Sequence, residues 1–97
     1  MKKFLVLTYG FTTPTPEVQT AWGAWFASVG THLVDPGSPF GRGIELTTSA
    51  RSDLDLSSPS PLVGYCILNA ETLADAEKLV STMPIIDSVR VYEAQSM

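Results

Sequence analysis

The nine residues "LVGYCILNA", Leu62 to Ala70, carry no charged side chain and are apolar at odd and even positions alike. No charge interrupts the run, so it reads as a strand dry on both faces rather than one with a wet side. "FLVLTY", Phe4 to Tyr9, has the same character. Successive side chains of a strand point to opposite faces. A sheet built on these two strands therefore has to be covered on both sides.

The remaining elements supply part of that cover. The first strand, "KKFLVLTYG", is bounded by Gly10, and "FTTPTPEVQTAWGAWFASVG" then carries a helix signal. Thr15 is a good N-cap, Pro16 suits the first helical position, and Glu17 favours the positive end of the helix dipole. Val18, Ala21, Trp22, Trp25, Phe26 and Val29 recur at helical spacing as one apolar stripe, and Gly30 closes the helix. Behind the stripe Thr20, Gly23, Ala24, Ala27 and Ser28 are small and uncharged. Such a back either admits a close neighbour or reflects simple tolerance of small residues.

"THLV" is a short strand and "DPGSPFGRG" the loop after it. "IELTTSA" follows as a strand whose half-polar pattern suggests an edge position or one wet face. "RSDLDLSSPSP" is the most flexible segment, within which "DLDL" can add a short strand. Thr72 and Asp75 form a capping box for a helix over Leu73 to Thr82, Pro84 ends it, and "DSVRVYEA" is the last strand.

Strand, helix, strand, strand, helix, strand is the order of a ferredoxin-like βαββαβ sandwich, an α+β fold with an antiparallel sheet. A chain of 97 residues makes it a single domain over 1–97. In this fold both helices lie on one face, and a second copy of the same sheet is the simplest cover for the other. A two-fold homodimer is the expectation. Composition agrees: charged residues make up 16% of the chain, below the roughly 25% usual for soluble domains.

Charge and cysteine content narrow the partners. Net charge is −4, and the six basic residues are scattered rather than striped, so no footprint for nucleic acid is present. Cys66 stands alone in an apolar run, which fits a reducing compartment and a buried structural role. "MKKFLVL" imitates a signal peptide, but its apolar run stops after four residues, at Thr8. No stretch approaches the ~18 apolar residues that span a bilayer. The expectation is a cytoplasmic protein with no membrane partner.

Several of these segments together resemble a known family. "AWGAWFASVGTHLVDPGSPFG", "GYCILNAETLADAEKLVSTMP" and "VRVYE" are similar to the YCII-related proteins, the group that includes the DGPF-domain proteins. The likeness runs from about Phe4 to Glu93. It implies a ferredoxin-like protomer assembling as a dimeric α/β barrel. On function it implies less: some relatives are proposed to use a His–Asp pair, one related dehydrochlorinase acts on chlorinated hydroquinones, and some are encoded beside sigma-factor genes. The family histidine falls on the first helix, where this chain has Gln19, whereas the aspartate after the second strand is matched by Asp35.

The candidate site residues follow. A neutral imidazole is a natural base near pH 7, which makes His32 a candidate. Strand alternation separates it from Asp35 unless a bulge intervenes. Asp35, before Pro36 and Gly37, is either functional or a turn former, and any chemistry is expected to centre on it. Trp22, Trp25, Phe26, Tyr9 and Tyr65 are candidates to line an aromatic cleft between helix and sheet, with Ser38 and Arg42 from the glycine-rich loop. One histidine, one cysteine and dispersed carboxylates make no metal-ligand set, and no cofactor is expected. Three functions remain open: a module binding a small hydrophobic or aromatic molecule, a small cofactor-free lyase of elimination or dehalogenation type using Asp35, and an accessory protein-interaction module.

Overall fold

The computed structural model describes residues 1–96. The chain runs β1 (Lys2–Tyr9), α1 (Pro16–Val29), a 3-10 turn (Gly30–His32), β2 (Leu33–Asp35), β3 (Gly43–Leu46), β4 (Arg51–Leu54), β5 (Leu62–Ala70), α2 (Leu73–Val80) and β6 (Ser88–Glu93). β2, β5, β1 and β6 form one sheet in that order, every neighbour antiparallel, while β3 and β4 form a separate hairpin. The α+β arrangement of two helices and a small antiparallel sheet is compatible with a ferredoxin-like fold.

The helices start where the caps dictate. The Thr15 hydroxyl accepts from Val18 N–H at 3.2 Å, and Thr72 accepts from Asp75 N–H at 3.1 Å. Both bonds satisfy a first-turn amide that has no intrahelical partner. Gly30 ends α1 with φ of +55°. α2 stops at Val80, two residues before the sequence pattern predicts. Ser81 and Thr82 there turn their hydroxyls back onto the carbonyls of Lys78 and Leu79 as the chain approaches Pro84.

The core lies between the helices and one face of the sheet. Val6 and Leu68 are fully buried there, with Cys66 on the same face and Trp25, Val29, Val80 and Met83 packed over them, and Phe4, also fully buried, packs beside them with Ala70 and Ala76. Each large side chain so buried contributes about 1.5–3 kcal/mol of transfer free energy. Trp25 also donates its indole N–H to the Leu79 carbonyl at 2.9 Å, which ties the last turns of the two helices together. The opposite face carries Leu5, Leu7, Tyr65 and Ile67, only half buried. Among the described residues neither helix covers this face, and Phe40 stacks on Tyr65.

Two regions depart from the sequence reading. "IELTTSA" is not an edge of the main sheet. β3 ends at Leu46, because the Thr47 hydroxyl accepts from Ala50 N–H at 3.0 Å and from Ser49 N–H at 3.3 Å, closing a turn. Arg51–Leu54, within the segment read as flexible, returns as β4. "THLV" also begins late: Thr31 and His32 are wound into the 3-10 turn, and the strand starts at Leu33.

Candidate functional site

α1 does not lie flat on the sheet. Of its apolar stripe, Trp25 and Val29 are buried, but Val18, Trp22 and Phe26 are only half buried. The N-terminal half of the helix stands off and leaves a cleft of about 430 Å³, within the range of small-molecule sites. Val18, Gln19, Trp22 and Phe26 form its helical wall, and Gly64 and Cys66 lie along its floor. Two loops close the ends, Pro36–Phe40 on one side and Met83–Ile86 on the other. Trp22 and Phe26 pack with ring centroids 5.8 Å apart, so the wall is a continuous aromatic surface.

The loop after β2 is held by backbone geometry. Gly37 has φ of +73°, and a Cβ there would come within 1.7 Å of the Tyr65 carbonyl oxygen. Only glycine allows the loop to press this closely on β5. Beyond it Phe40 N–H donates to the Val63 carbonyl at 2.7 Å, and the Phe40 ring stacks on Tyr65 with centroids 5.7 Å apart.

Of the residues singled out from sequence, Trp22, Phe26, Tyr9 and Ser38 belong to the lining of this cleft, and Tyr65 borders it although its ring lies on the sheet's other face, against Phe40. Trp25 belongs to the core, 3% exposed, with its N–H already bonded. Arg42 is exposed on the approach to β3. Asp35 takes a different side. β2 bulges between Leu33 and Asp35, so Leu33 pairs with Leu68 on the core face and Asp35 with Ile67 on the open one. Its Oδ1 accepts from Gly37 N–H at 2.8 Å, and its Oδ2 from the Tyr65 hydroxyl at 3.4 Å. One oxygen therefore serves its own turn and the other faces a phenol.

His32 stands apart from all of these. Its Nδ1–H donates to the Asn69 carbonyl at 2.9 Å, at a shallow hollow shared with Glu71, Asp75 and Lys78. The bulge removes the simple alternation from which separation of His32 and Asp35 follows in sequence. The separation arises instead because the two residues engage different partners.

Sequence reasoning did not mark Thr8 or Cys66 as lining residues, nor Ile85 and Ile86. The isoleucines left a trace: two large apolar residues after a helix-ending proline, 45% and 43% exposed, with no element of their own to pack into. Cys66 lies on the floor, and burial, with a smaller push from the Asp35 carboxylate, raises its thiol to about 11. It is a neutral S–H at physiological pH, not a nucleophilic thiolate. Among the described residues no three His, Cys, Asp or Glu side chains come together to hold a metal ion, and no helix is long and apolar enough to cross a membrane. No protein-family model matches the chain, and no curated protein matches it either.

Proposed function

We propose that this chain is a YCII-related protein that binds a small hydrophobic or aromatic molecule in the cleft between α1 and the sheet, and that it does so as a homodimer. The observation that carries the binding reading is the half-open stripe of α1. Trp22 and Phe26 are apolar, half exposed and aimed at a preformed cavity that none of the described residues fills. Gln19, where the family resemblance places a histidine, lines the same cleft. A thermal-stabilisation screen against small neutral aromatics tests the reading: a hit should raise the melting temperature in the parent protein and not in Trp22→Ala. A screen in which nothing stabilises the parent overturns it.

The dimer rests on surface area. The protomer exposes 6738 Å², about 1,300 Å² more than the ~5,400 Å² expected for a compact monomer of this mass. Its radius of gyration, 14.6 Å, likewise exceeds the ~12.5 Å of a compact domain this long. If each protomer hides ~1,000 Å² of largely apolar surface, the gross gain is about 25 kcal/mol per protomer before association costs. Sheet-to-sheet pairing of Leu5, Leu7 and Ile67 with their counterparts supplies that surface and completes a dimeric α/β barrel.

A second reading, a cofactor-free lyase centred on Asp35, draws on the Tyr65 hydroxyl beside its Oδ2. It requires Asp35→Asn to abolish turnover of a halogenated aromatic while His32→Ala leaves turnover intact. The reverse pattern overturns it. A third, an interaction module, draws on Ile44, Leu46 and Leu54, which are 46–69% exposed on the hairpin. Retention of ligand binding with loss of partner capture in Leu46→Asp would favour it.

A further inference from the structure

The chemistry of the cleft wall constrains the ligand beyond its size. None of the described residues lining it is Asp, Glu, Lys, Arg or His. The polar side chains it offers are amides and hydroxyls, Gln19 and Thr8 among them, which both donate and accept hydrogen bonds without carrying charge. A charged group taken into such a site loses its water and gains no counter-ion, which costs several kcal/mol. A neutral polar edge can be met in full by an amide.

Charged groups of both signs touch residues of the lining from behind or from its rim. Asp35 lies behind the floor, close enough to act on Cys66. Asp87 packs against Gly10, where an added Cβ would be 2.7 Å from its Cγ, and Gly10 lines the cleft. The Arg90 guanidinium sits over the Tyr9 ring at 4.7 Å, and Arg90 pairs with Leu7, on the sheet's other face. None of them is part of the lining, so none is a counter-ion for a bound charge.

Resting on the reading of the cleft as a ligand site, we propose that it selects an uncharged aromatic molecule bearing one amide-like or hydroxyl edge, met by Gln19. It discriminates against charged analogues of either sign.

Three probes of one shape test this on the full chain at pH 7 and low salt: naphthalene-2-carboxamide, 2-naphthoate and 2-naphthylmethylammonium. Quenching of tryptophan emission that disappears in Trp22→Phe locates each probe in the cleft. The carboxamide should bind best, and the ammonium and the carboxylate each at least about tenfold more weakly. Gln19→Lys should recover the carboxylate by about tenfold relative to the carboxamide. Equal affinities in the parent protein overturn the selectivity and leave the binding cleft standing. Normal discrimination that Gln19→Lys does not alter overturns the role of Gln19. If none of the three binds, the cleft reading falls with it.

Discussion

The two faces of the sheet are made of almost the same material and have opposite fates. Val6 and Leu7 are neighbours in one strand; Val6 is fully buried under α1 and α2, while Leu7 is half exposed. Leu68 and Ile67 repeat the contrast on β5. Hydrophobicity alone does not distinguish these residues. What distinguishes them is which face the chain can cover with its own helices. The covered face stabilises the protomer, and the open face leaves its apolar side chains only half buried.

The largest effects should come from breaking the covered face. Phe4→Ala is expected to destabilise the protein by about 3–5 kcal/mol, the usual cost of emptying a fully buried aromatic site. Tyr92→Ala, at a 51% exposed position across from Leu5, should cost far less. Urea unfolding of both variants checks the asymmetry, and similar losses would erase the distinction between the faces.

Gly37→Ala tests the crossing from β2 onto β5 at the edge of the sheet. Its left-handed backbone and the close Tyr65 carbonyl together predict a loss of about 1–3 kcal/mol. Gly23→Ala is the control, because a Cβ there meets nothing within 4 Å. It should be neutral or mildly stabilising, since alanine is the better helix former. Equal melting temperatures for the two variants would remove the steric argument for the loop.

Leu7→Asp sharpens the comparison from the other side. The protomer's far-UV circular dichroism should be retained, while sedimentation equilibrium should fall from about twice 10.5 kDa to the monomer mass. A parent protein that is already monomeric at micromolar concentration would defeat the sheet-to-sheet dimer.

The smallest effect crosses the sheet. Folding holds the Cys66 proton more tightly than the unfolded chain does, where a thiol titrates near ~8.5. Its contribution to stability is therefore whole below that pH and is lost as pH rises towards about 11. Asp35→Asn should lower the thiolate midpoint, read by ultraviolet absorbance, by removing a negative charge from the far face. An unchanged midpoint would show that burial alone sets it.

How much of this was legible beforehand depends on how local each signal is. The caps Thr15, Thr72 and Gly30 act within a turn, and they mark their helices from sequence. The doubly apolar β1 and β5 likewise announce a sheet with two faces to cover. The β2 bulge is not local. It comes from matching Leu33 to Leu68 and Asp35 to Ile67 across 30 or so intervening residues, and it moved Asp35 to the face that alternation does not predict. Trp22 and Trp25 share one helical stripe, so periodicity treats them alike. The tilt of α1 sends one into the core and leaves the other on the cleft.

The bond from Trp25 to the Leu79 carbonyl acts as a pivot. It pins the C-terminal part of α1 to α2, while the helix's other end is held mainly by the contacts that wall the cleft. From Trp25 back to Pro16 the lever is about 13 Å long at the rise of an α-helix. A tilt of only ~5° about that pivot moves the free end by about 1 Å, close to the scale on which apolar contacts are made or lost. The width of the cleft is thus set by the angle at which α1 crosses the sheet, which can change by this much without repacking the core.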